Sequence, residues 1–168
     1  VLASISVPFV DTSAADLVWT LDHPLVEPLA TRSVGAHGPR TELRVLGASH
    51  QVVVESPAGA LVETVACLPG VDGRLPAATE RSVAAGGYRF RSTVETLPPG
   101  ELRRRVDRLR DQVADAPGGL LVSFPGDRLA VTALHLTRGD GGPLSWRTWH
   151  AYPQSGELVS TASTVTIP

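Results

Sequence analysis

From residue 29 onward the chain is written in short β-branched segments separated by Gly- and Pro-containing turns. The segments are "LATRSV", "TELRVLG", "HQVVVES", "LVETVACL", "YRFRSTVETL", "LLVSF", "LAVTALHLT", "LSWRTWHAY" and "ELVSTASTV". Alternating side chains point to opposite faces of a strand, so this pattern specifies strands. The gaps between most of them are too short for helical crossovers, and neighbours are therefore expected to pair antiparallel. One stretch breaks the rule. In "GELRRRVDRLRDQVADA", Leu102, Val106, Leu109 and Val113 recur at helical spacing and make a narrow apolar stripe. Pro99 suits the first turn of that helix, and Pro117-Gly118-Gly119 stops it.

The N-terminal part reads differently. "ISVPFV" alternates as an edge strand, because Pro8 has no N–H to donate. "SAADLVWTL" has capping-box spacing at Ser13 and Asp16 and predicts a short helix that ends by Pro24. "PGVDGRLPAATERSVAAGG" is expected to be a long loop. The fold class is α+β: one domain over residues 1–168, with a large, mostly antiparallel sheet or partly closed barrel, one well-defined helix and one short N-terminal helix.

Composition excludes several functions. All 15 basic residues are arginine, so lysine Schiff-base chemistry and a lysine phosphate grip are impossible. A net charge of −2 makes no case for nucleic acid or an anionic membrane as partner. The lone cysteine, Cys67, forms no internal disulfide and fits a reducing compartment. No run has the length of a transmembrane helix and the N-terminus lacks signal-peptide patterning, so a cytoplasmic location is expected.

Seven stretches, in order, carry a family likeness: "VDTSAADLVWTL", "ELRVLGASHQVVVE", "ETVACLPG", "VETL", "FPG", "VTAL" and "WRTWHAYPQSGELV". Spread over nearly the whole chain, they resemble the bacterial family catalogued as domain of unknown function 2617. The resemblance implies a single intact domain. It implies no activity, cofactor or catalytic residue.

The residues themselves offer few chemical constellations. "GASHQ" lacks the second glycine of a hydrolase nucleophile elbow, and a strand follows it; a hairpin turn is the plainer reading. His50, His135 and His150 lie on or beside strands that a sheet would bring near one another. None has a short zinc-ligand spacing, and separate structural roles are expected rather than a metal site. Arg103, Arg104 and Arg105 form the densest basic run, but Glu101, Asp107, Asp111 and Asp115 interleave, as on a solvated helix face.

"WRTWHAY" is the unusual stretch. Trp146, Thr148, His150 and Tyr152 share one face of the strand; Arg147 and Trp149 share the other. A strand with one wet face would not carry tryptophan on both. Trp149 is expected against the helix, and Trp146, His150 and Tyr152 as an amphipathic wall, either of a core or of a cleft. The expected function is small-molecule binding in that β-lined cleft. His50, Trp146, Arg147, His150 and Tyr152 are the candidate binding residues, no metal is expected, and no cofactor is legible. The alternatives are an enzyme using a histidine as general acid or base in the same cleft, and an interaction module using the arginine helix or a strand edge. Neither nucleic acid nor membrane is expected as a partner, and oligomeric state is not legible.

Overall fold

The computed structural model describes residues 30–34, 40–45, 49–57, 59–66, 78–79, 87–124, 126–138 and 142–167. The strand at 5–9, the short helix at 13–21, His23, His37 and Cys67 lie outside them.

Among the described residues, ten strands and one helix follow in chain order. The strands β1 (Ala30–Val34), β2 (Arg40–Val45), β3 (Ser49–Ser56), β4 (Gly59–Ala66) and β5 (Ala78–Thr79) form one five-stranded antiparallel sheet in sequential order. Then come β6 (Arg89–Thr96), α1 (Pro99–Val113), β7 (Gly119–Ser123), β8 (Val131–Arg138), β9 (Leu144–Tyr152) and β10 (Glu157–Val165). Their strands make a second antiparallel sheet, ordered β6-β10-β9-β8-β7. The mostly antiparallel architecture and the well-defined helix at 99–113 are as the sequence indicates; the expected short N-terminal helix lies outside the described residues. The described strands divide into two sheets and close no barrel. The division falls between β5 and β6, and the short β5 lies inside the stretch expected to be wholly loop.

Three layers result. The inner faces of the sheets meet in a core of Leu43, Val45, Val52, Val54, Leu61, Leu134, Leu136, Leu144, Trp146 and Val165. On the far face of the second sheet, Leu102, Val106 and Leu109 of α1 pack on Val131, Ala151 and Leu158, with Trp149 beside them. Strand β9 is thus sandwiched between sheet and helix, which is why it needs a tryptophan on each face. The guanidinium of Arg32 on β1 donates to the Gly119 carbonyl on β7, tying an edge of one sheet to an edge of the other.

Pro98 precedes the helix, Pro99 occupies its first turn, and Glu101 adds an acid where the helix dipole favours one. The β9–β10 turn closes on Gly156. It adopts φ +75°, and a Cβ there would come within 2.8 Å of the Leu97 carbonyl oxygen, so a side chain is disfavoured twice over.

Candidate functional site

The inter-sheet core is not wholly apolar. Register places His50 opposite Val65, and Glu63 opposite Val52, on the inward face of the first sheet. It also places Thr132 opposite His150 on the inward face of the second. Packing the sheets together therefore brings polar groups from β3, β4, β8 and β9 into one seam. Glu63 and His50 are fully buried, and His150 and Thr132 are each 2% exposed.

Their contacts form a chain. The Glu63 carboxylate accepts from Trp146 Nε1–H at Oε1 and from Tyr88 O–H at Oε2, both at 2.6 Å. His50 Nε2 stands 3.6 Å from Glu63 Oε1, an ion-pair distance. His50 Nδ1 lies 3.2 Å from His150 Nε2, and the rings stack at 5.4 Å between centroids and 12° between planes. His150 Nδ1 in turn lies 2.8 Å from Thr132 Oγ1. Burial on its own would push the Glu63 carboxyl pKa up; the His50 ring and its charge, with Ser163 and Tyr88, outweigh this and hold it below the usual range. Burial, helped by the charge of His50, keeps His150 well below the ordinary histidine value of 6.5 and therefore neutral near pH 7.

Hydrogen-bond logic orders the protons. At 3.6 Å His50 Nε2 and Glu63 Oε1 are within ion-pair range but make no hydrogen bond; the charge of the carboxylate still favours a proton on Nε2. With His50 neutral, its Nδ1 accepts from His150 Nε2–H, and His150 Nδ1 accepts from the Thr132 hydroxyl. With His50 doubly protonated, His150 must accept at Nε2; it then carries Nδ1–H and donates to Thr132. A proton gained at His50 therefore reverses the His150 tautomer and the Thr132 hydroxyl.

The far end of this chain meets a cleft of about 540 Å³ where the β7–β8 and β9–β10 turns converge. Thr132, His150 and Tyr152 line it with Phe124 and Asp127 from the first turn and Glu157 after the second. Of the candidate residues, the structure brings His50, His150 and Trp146 into the buried seam and sets Tyr152 half-buried on the cleft. Arg147 is exposed on the opposite face, beside His135 and Ala162, and has no part in either. His135 stands on that same far face, so the three histidines do not converge. Among the described residues, no group of three or more His, Cys, Asp or Glu is placed to hold a metal ion.

Glu63, Tyr88, Thr132, Asp127 and Glu157 were not legible as site residues. For Glu63 a signal existed. Leu61, Glu63 and Val65 share one face of the strand, and a carboxylate on that otherwise apolar face must find buried partners.

Among the described residues, two antiparallel sheets, one helix packed on the second, and a buried Glu–His–His–Thr chain that ends on a cleft define the class of protein. The chain belongs to the family described as "Protein of unknown function DUF2617", which matches residues 14–165. Uncharacterized protein Mb2629 of Mycobacterium bovis and uncharacterized protein Rv2598 of Mycobacterium tuberculosis are each 40% identical to it over 166 residues, 96% of either chain. No solved structure matches it.

Proposed function

We propose that this domain binds a small molecule in the cleft at the ends of β8 and β9. The supporting observation is the meeting of two features: a cleft of about 540 Å³, within the range of ligand sites, and a polar chain buried behind it that ends on its wall. Buried polar groups cost stability unless paired, and an apolar pair of sheets would pack without them. Native mass spectrometry of the purified protein tests the reading: a co-purified small molecule that is lost from a Tyr152→Ala variant supports it. A ligand retained by Tyr152→Ala at full occupancy, or a protein that takes up no member of a fragment library in the cleft, overturns it.

A second reading, that the cleft is catalytic, is favoured by the order of the chain. If Thr132 gives its hydroxyl proton to His150 Nδ1 as the oxygen attacks a substrate in the cleft, and His150 passes its Nε2 proton to His50 Nδ1, the proton ends on His50 as an imidazolium beside the Glu63 carboxylate, which stays ionised. A bell-shaped or sigmoidal pH–rate profile that vanishes in Thr132→Val would support this reading over simple binding.

A further inference from the structure

We propose that the ligand of the cleft is a small organic cation, an inference that rests on the binding reading above and adds the ligand's charge. The lining carries two carboxylates, Asp127 and Glu157, and no arginine. Neither takes part in an ion pair among the described residues. Both are held in place by local contacts. Asp127 Oδ1 accepts from the Leu129 N–H at 2.9 Å, and Glu157 Oε2 accepts from the Ser155 hydroxyl at 2.9 Å. A carboxylate has a second oxygen, so each keeps acceptor capacity beyond these bonds.

The remaining lining agrees with that charge. Phe124 and Tyr152 bring aromatic rings to the lining, and such rings attract ammonium and guanidinium groups to their faces. Ala130, Val131, Ala151 and Pro153 give an apolar surface for an alkyl body. His150, kept neutral by burial, supplies no positive charge to favour an anion. The neighbouring arginines are directed elsewhere. Arg110 donates to the Ser123 hydroxyl and the Arg128 carbonyl, and the Arg128 side chain is not part of the lining. An anion here would face two carboxylates with no compensating cation. A bare metal ion would lack a ligand set, since no described cluster can hold one. An alkyl or aryl ammonium satisfies carboxylates, ring faces and apolar floor together.

The test uses four probes of similar size on the isotope-labelled full chain at low salt: n-butylammonium, tetramethylammonium, n-butanol and butyrate. Amide and aromatic resonances report the site. The expected result is saturable shifts at Phe124, Tyr152 and the 153–157 turn with both cations, and at least about tenfold weaker binding of butanol and butyrate, equal to about 1.4 kcal/mol. An Asp127→Asn, Glu157→Gln double variant, checked for an unchanged fold by its amide spectrum, should bring the cations to the level of butanol. If butanol or butyrate binds the cleft as well as the cations, or the cations bind the double variant undiminished, the charge assignment is wrong and the binding reading stands. If no probe gives saturable shifts in the cleft up to its solubility, both fall.

Discussion

Glu63 and Glu55 lie on neighbouring strands of one sheet and show what environment does to the same side chain. Glu55 is over half exposed and sits 3.9 Å from an equally open Arg40, so its pairing is a surface contact. Glu63 has no exposed surface, and both its oxygens accept from buried or half-buried aromatic donors. Truncating it removes the acceptor of Trp146 Nε1–H and Tyr88 O–H and the ion-pair partner of His50. Glu63→Ala is expected to cost ~3–5 kcal/mol, against less than about 0.5 kcal/mol for Glu55→Ala, read from urea melts. His150→Ala is expected to cost ~2–4 kcal/mol, since it opens a cavity and removes the contacts to His50 Nδ1 and Thr132 Oγ1. The pH dependence follows from the same residues. His150 refuses, when folded, a proton that the unfolded chain accepts below 6.5. The stability that this withholds is full above the unfolded pKa and falls as pH drops toward the folded one. Glu63, lowered from 4.5, adds a second loss that begins only below that value. Unfolding free energy should therefore decline from about pH 6.5 downward, and a His150→Gln variant should be flatter between about pH 6.5 and 5. A wild-type profile flat over that interval would contradict the buried neutral histidine.

At the scale of elements, period was legible and partnership was not. The alternation of β9 identified a strand with two occupied faces, and Trp149 does pack beside the helix. The i, i+4, i+7, i+11 stripe of α1 names its buried residues one for one. What alternation cannot encode is where a sheet ends. The sequential hairpins β1–β5 and the return of β10 between β6 and β9 use the same local pattern, so two sheets read as one. The helix carries two predictions. Leu109→Ala should cost ~2–4 kcal/mol, whereas Arg104, exposed and bonded to Glu101, should cost less than about 0.5 kcal/mol on truncation. Arg105 reaches Glu95 on β6, so part of the basic run is spent on acids of the same protein. Short DNA or RNA is accordingly expected to bind no tighter than about 100 μM at physiological salt, by fluorescence anisotropy. The entry to β7 offers a backbone test. A Cβ on Gly118 would fall 2.1 Å from the Leu136 carbonyl oxygen, while one on Gly100 meets nothing within 4 Å. Gly118→Ala should destabilise strongly, and Gly100→Ala should be neutral or stabilise by ~0.4–1 kcal/mol, in paired thermal melts.

For the whole molecule, the site is a product of the sandwich. His50 and His150 are joined only because the two sheets pack inner face to inner face. Sequence could nominate both histidines, since each lay on or beside an expected strand, but it held no measure of the distance between strands of different sheets. For Glu63 the apolar strand face signalled a need for buried partners, but "LVETVACL" could not name them, because Trp146 and Tyr88 arrive from the other sheet and its approach. The central claim is the ordered chain from Glu63 to Thr132, and histidine-labelled nitrogen NMR at neutral pH addresses it most directly. The account predicts that His50 Nε2 carries a proton and that His150 is neutral with a single protonated nitrogen, Nε2 when His50 is neutral and Nδ1 when it is charged. A neutral His50 protonated at Nδ1, or a His150 imidazolium at that pH, would contradict it.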